Sequence, residues 1–178
     1  MKGFQFCFLI LFSLNTFFCN NINHDFSDKD LSKKDFSSQD LTSFNFKNSN
    51  LRDSIINNAK LQKVNFTNSN LTNSIIKYSN LKGSNFKDAS LFGIDFTGSD
   101  LSGVDLSNLD LRNVNFSEAN LSGAKFNKSD LSGAIFNGAN LENANFNEAT
   151  VELSQLFNAK RLKNVKLPYG NTYEEIKK

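Results

Sequence analysis

SDLSGAIFNGANLENANF, Ser129 to Phe146, carries its large apolar residues at Leu131, Phe136, Leu141 and Phe146, one every five positions. Neither a lone helix, with its 3.6-residue period, nor a lone strand, with period two, brings a side chain back to one side at that interval. The spacing extends in both directions, because every fifth residue from Phe26 to Val151 is apolar. Leucine holds the sites ending in 1 as far as Leu141, and phenylalanine holds most of those ending in 6, with Ile56, Ile76 and Leu106 as exceptions. Two residues before each centre the side chain is usually small, as at Ala59, Ser69, Ala89, Ala124 and Ala139, and one residue before it is usually Asp or Asn. A chain with this inward-large, inward-small, outward-polar order turns a corner after each pentapeptide and closes a square coil after four. Coils stacked like strands, ~4.8 Å apart, bury the centres in continuous columns and pair the backbone from coil to coil. Ser54-Ile55-Ile56 and its copy Ser74-Ile75-Ile76, twenty residues apart, give the coil length independently.

The block A-[DN]-[LF]-x-x, intact at Ala119-Asn120-Leu121, Ala139-Asn140-Leu141 and Ala144-Asn145-Phe146, resembles the pentapeptide-repeat family over residues 24–151. That resemblance implies an all-β fold, a right-handed quadrilateral β-helix with Leu or Phe at the centre and small residues beside it. The chain departs from the pattern locally. Phe44, Val64, Ile94, Val104, Leu109 and Val114 enlarge the small position, and Ile55, Ile75 and Ile135 replace the outward polar residue.

The two ends read differently from the body. MKGFQFCFLILFSLNTFFC has one charge, Lys2, and an apolar core shorter than the ~20 residues of a spanning helix, so residues 1–19 have the build of a signal peptide. Phe17 and Phe18, where small residues should precede a cut, leave the cleavage point open and keep an uncleaved membrane anchor as the alternative. Both cysteines, Cys7 and Cys19, lie in this leader. Residues 20–151 form the repeat body, whose first coil is worn by Lys29 and Lys34 at the small position. The five-residue phase breaks after Val151, and residues 152–178 read as a short capping helix and a basic tail. Leu153, Leu156 and Phe157 have helical spacing, with Thr150 as N-cap, Glu152 in the first turn, and Lys160 and Arg161 in the last. Leu162 and Leu167 are again five apart, shifted by one, which predicts a last partial turn before Pro168.

With 178 residues, 39% apolar content and a net charge of +2, the chain has the length of one domain and lacks the charge bias of a nucleic-acid binder. Catalytic groups are sparse. His24 is the sole histidine and reads as an exposed residue beside the leader. Asp25, Asp30, Asp35 and Asp40, and again Asp95, Asp100, Asp105 and Asp110, follow one another in sequence but point to four different sides of a square coil. Only Asp110 and Asp130 are acidic neighbours on one side. No catalytic, cofactor-binding or metal site is expected.

The candidate interaction patch is Ile55, Ile75, Tyr78 and Phe92, with the two isoleucines stacked outward, Tyr78 near the next corner and Phe92 a coil later. The expected function is that of a non-enzymatic interaction or scaffold module, a rod ~30 Å long with a protein partner and no nucleic acid. Exported members that resemble this chain imply the periplasm, cell envelope or thylakoid lumen. The alternatives are a topoisomerase-directed DNA mimic, known for one branch of the family, and a secreted effector or adhesin.

Overall fold

Most of the pentapeptides turn their corners with the same device. At most corners the amide three residues after the centre donates to the centre carbonyl, as Ser49 does to Phe46 at 3.1 Å and Ala124 to Leu121 at 3.0 Å, whereas the Ala59 and Ser79 amides donate to the hydroxyls of Ser79 and Ser99. The third residue of each turn then has a positive φ, 58° at Asn48 and 69° at Gly123, as a type II turn requires. Glycine, Asn and Asp at this phase fit that geometry, whereas Lys33, Tyr78, Glu118 and Lys128 adopt it at a cost of about 1–2 kcal/mol each. Where the residue before the centre is Asp or Asn, it supports the same turn. Its side-chain oxygen accepts the amide two residues on, as Asp95 Oδ1 does from Thr97 (2.9 Å) and Asn140 Oδ1 from Glu142 (3.2 Å).

A computed structural model describes residues 24–172, so the leader expected over residues 1–19 and the end of the basic tail lie outside the described residues. Within them the corners close a square coil of twenty residues. Parallel bridges join Asn45 to Asn65, Asn50 to Asn70, Ile55 to Ile75 and Lys60 to Asn80, which defines four sides, one to four in that order. A turn in every pentapeptide leaves no room for long strands, so each side is one bridge wide. Inside, Phe46, Leu51, Ile56 and Leu61 and their successors are fully buried. Phenylalanines of one column lie face to face, at 5.0 Å for Phe66 and Phe86 and 4.7 Å for Phe126 and Phe146. At the small positions, buried serines return their hydroxyls to the backbone: Ser69 Oγ donates to Phe66 O at 2.7 Å and Ser99 Oγ to Ile76 O at 2.6 Å.

The ladder has one interruption. Between the coil of Phe86 and the coil of Leu106 no bridge joins Asn85 to Asp105 or Ser90 to Asp110 among the described residues, although bridges exist above and below.

The N-terminal end is closed by aromatic rings. His24 stacks on Phe44 at 4.5 Å, and Phe26 stacks on both Phe44 and Phe46, so the oversized Phe44 serves as a lid partner. His24 is therefore part of the first coil, and its carbonyl accepts the Asn45 amide at 2.7 Å.

The C-terminal helix differs from its sequence expectation. It is one turn, Leu153–Leu156, with Glu152 as N-cap, whose amide donates to Gln155 Oε1 at 2.8 Å. Thr150 stays in the ladder as the bridge partner of Asp130. Lys160 and Arg161 do not end the helix: the Lys160 amide donates to Ala139 O, and Arg161 bridges Asn140. Leu156 alone of the three apolar helix positions is buried, while Leu153 and Phe157 are exposed. The physical reason is that resumed pairing holds the chain close to the last coil. Five-residue winding returns through Leu162 and Leu167 with bridges to Asn140 and Asn145, carrying the solenoid past residue 151. An antiparallel bridge between Lys166 and Thr172 folds the end back.

Candidate functional site

Side three is where this rod departs from its own surface rule. Its outward ladder runs Asp35, Ile55, Ile75, Asp95, Asn115, Ile135. Ile55 and Ile75 are direct bridge partners, the first exposed and the second half-buried. Tyr78 occupies the corner between sides three and four, and Phe92 the corner between sides two and three. The four expected residues are thus arranged around one side.

Their surroundings limit the apolar area. The Tyr78 ring, 58% exposed, lies over Gly98, where a Cβ would collide with its Cδ1 and Cε1 atoms. A corner glycine one coil on is therefore what lets the tyrosine lie down. Phe92 lies beneath the Arg112 guanidinium, whose carbon is 5.5 Å from the ring centroid. Arg112 is in turn held by Asp110 at 2.8 Å and 2.7 Å, with Asp130 3.9 Å away. The hydrogen bond from Arg112 lowers the Asp110 pKa from its ordinary value. Beyond Ile75 the ladder turns ionic, where Lys77 Nζ meets Asp95 at 3.0 Å. Burial pushes the Asp95 carboxyl up, but the Thr97 hydroxyl and amide and Lys77 outweigh it and leave the pKa lowered. The patch is thus a short apolar strip with a charged border.

Sequence reasoning left out Ile135, which is exposed on the same side beyond Asp95 and Asn115. Its signal was available, since it breaks the outward polar rule as Ile55 does. Leu153, Phe157 and Tyr169, exposed at the C-terminal end, had no such signal.

The carboxylate rows act as turn supports and ladder partners. Asn45 Nδ2 donates to Asp25 at 2.9 Å and Asn50 Nδ2 to Asp30 at 3.0 Å, while Lys60, Lys82 and Lys125 pair with Asp40, Asp100 and Asp105. No group of His, Cys, Asp and Glu able to hold a metal occurs among the described residues. No helix among them is long and apolar enough to cross a membrane. A cleft of about 350 Å³ lies at the ladder interruption, lined by Asn85, Phe86, Lys87, Asp105, Ser107, Asn108 and Leu109.

A twenty-residue square coil with filled interior defines the molecule as a β-solenoid. Family models described as "Pentapeptide repeat region" and "Pentapeptide repeats (8 copies)" match residues 77–146 and 56–88, together just over half of the chain, which belongs to the pentapeptide-repeat family. Among solved structures it is similar to full-length QnrB1, a plasmid-mediated fluoroquinolone resistance protein, at 24% identity over 85% of this chain and 82% of that one, with a TM-score of 0.40. A pentapeptide repeat protein from the Arabidopsis thaliana thylakoid lumen is 27% identical over 83% and 86%, with a TM-score of 0.37. HetL, from the cyanobacterium Nostoc and involved in heterocyst differentiation regulation, is 20% identical over 83% and 93%, with a TM-score of 0.31. Comparison with curated protein sequences gives no match.

Proposed function

We propose that this protein is a non-enzymatic, exported interaction or scaffold module, a right-handed pentapeptide-repeat rod that meets a protein partner through side three. The observation that carries the reading is the outward Ile55–Ile75 pair, on a ladder that otherwise holds Asp35, Asp95, Asn115 and Ile135. Tyr78 and Phe92 extend that pair to both bordering corners. An apolar strip framed by Lys77–Asp95 and Arg112–Asp110 has the layout of a small protein contact, with an apolar centre and a charged rim. A filled interior supports the non-enzymatic part, because chemistry needs a pocket with convergent groups. The leader over residues 1–19 supports export.

DNA mimicry asks for rows of uncompensated acid. Here Lys60, Lys77, Lys82, Arg112 and Lys125 neutralise Asp40, Asp95, Asp100, Asp110 and Asp105, which favours the protein-contact reading.

Two measurements test the proposal. A photoreactive side chain at Ile75, compared with one at Asn120 on side four, should give a specific protein adduct in the native cell only from Ile75. Equal labelling at both positions would remove the contact role. Intact-mass analysis of cell fractions should find a chain beginning near Asn20 in an exported fraction, and a full-length cytoplasmic chain would overturn export.

A further inference from the structure

We infer that the rod contains a hinge between the coil of Phe86 and the coil of Leu106, open along sides one and two and held along sides three and four. In the regular stack each centre amide donates to the carbonyl nineteen residues on, as Phe66 does to Asn85 and Leu71 to Ser90, both at 2.8 Å. The corresponding bonds from Phe86 to Asp105 and from Leu91 to Asp110 are absent among the described residues, as is the corner bond from Asp88 to Ser107. The return bonds from the Asp105 and Asp110 amides to Ser84 and Ala89 are also absent, although their equivalents from Asn85 to Val64 and Ser90 to Ser69 are present at 2.9 Å.

The opposite half of the same coil pair is intact. Phe96 donates to Asn115 at 2.8 Å, Leu101 to Asn120 at 2.9 Å, and the Asn115 and Asn120 amides return to Ile94 and Ser99 at 3.0 Å and 2.9 Å. The 350 Å³ cleft lies on the unbonded half, at the corner of Phe86, Lys87, Ser107 and Asn108. It has room for several waters at about 30 Å³ each, which can serve the unpaired amides and carbonyls. Small positions of the inner coils reach 6% exposure at Ser84, Ala89 and Leu109, all facing this gap, against 0–3% at the others.

Packing accounts for the one-sided opening. The aromatic column on the open half runs Phe46, Phe66, Phe86, and resumes as Phe126, Phe146; Leu106 interrupts it. Around Leu106, Val104 and Leu109 occupy two successive small positions that hold Ser84 and Ala89 below and Ala124 and Ser129 above. Volume is thus taken from the axis and added near the backbone, which wedges the ladder apart. On the held half the column Phe96, Phe116, Phe136 passes the same level unbroken, at 5.7 Å and 5.3 Å. A stack bonded on one half of its perimeter and open on the other bends about the bonded half, as locally weak segments of a nearest-neighbour array do.

Amide hydrogen exchange on the full chain reads this directly. The amides of Phe86, Asp88, Leu91, Asp105 and Asp110 are expected to exchange about 100-fold faster than their bonded counterparts Phe66, Asn68, Leu71, Asn85 and Ser90. Equal protection in the two sets overturns the hinge. A variant carrying Val104→Ala, Leu106→Phe and Leu109→Ser repeats the Ala124, Phe126, Ser129 arrangement and should bring the fast set down to its counterparts. A folded variant that still exchanges fast overturns the packing cause; if the variant does not fold, the comparison within the wild-type chain decides alone.

Discussion

Two aromatic columns run through this rod, and at the level of Leu106 only one of them is continuous. One carries Leu106 between Phe86 and Phe126, while the other carries Phe116 between Phe96 and Phe136. Where the stack is continuous the backbone ladder beside it is complete, and where leucine shortens it, with Val104 and Leu109 crowding the corners, the ladder opens. The period alone therefore does not secure pairing between coils. Spacing between backbones is set by the combined volume of centre and small positions, because a close-packed interior transmits a local misfit to the nearest hydrogen bonds.

The contrast is sharpest in core truncations. Phe116→Ala, within the continuous column, is expected to cost about 3–5 kcal/mol in urea denaturation, and Phe86→Ala to fall at the low end of that range, since the cleft lets its surroundings relax. Equal losses would break the link between column and ladder.

Smaller effects are expected at the buried serines. Ser99 Oγ donates to Ile76 O and accepts the Ser79 amide at 3.0 Å, so Ser99→Ala should cost about 1–3 kcal/mol. Ser54 Oγ is buried without a partner, and Ser54→Ala should leave thermal stability unchanged or raised. A loss at Ser54 as large as at Ser99 would show that side-chain size, not the hydrogen bond, decides at this position.

The outward acids contribute in the same direction. Asp95, Asp100, Asp105 and Asp110 all have pKa values lowered in the folded chain, so the unfolded chain takes up protons first as pH falls. Their contribution is complete above the unfolded carboxyl range near pH 4 and is lost as pH drops through the lower folded values. The thermal midpoint should fall between pH 5 and pH 2, and less steeply in Asp95→Asn. An unchanged slope would remove Asp95 from the account.

The smallest effect on stability is expected at the contact face. Ile75→Lys should shift the folding free energy by no more than about 0.5 kcal/mol while abolishing the adduct formed from a photoreactive group at Ile55. Retained adduct formation would move the contact elsewhere.

Much of this was readable from the chain. Fixed phase showed which residues point inward, and Ile55 and Ile75, twenty apart in an outward phase, announced their pairing. The glycines at 83, 93, 98, 103, 123, 133 and 138 share the phase that needs positive φ, a signal equally present in the sequence. Other features were not legible residue by residue. Val64 and Ile94 enlarge the small position as Val104 does, yet their ladders stay intact, so the opening depends on three neighbouring substitutions summed in space. The helical spacing of Leu153, Leu156 and Phe157 overstated the cap because renewed pairing at Arg161 competes for the same backbone.

The sequence by itself determined the coil, its length, its corners and its inner and outer faces, since all of these follow from a period that local backbone geometry must obey. Tertiary structure decided where the stack is tight, how Tyr78 lies on Gly98 and Phe92 beneath Arg112, and how the last coil closes. Those outcomes depend on atoms twenty residues apart filling one volume, and no local rule adds such volumes up.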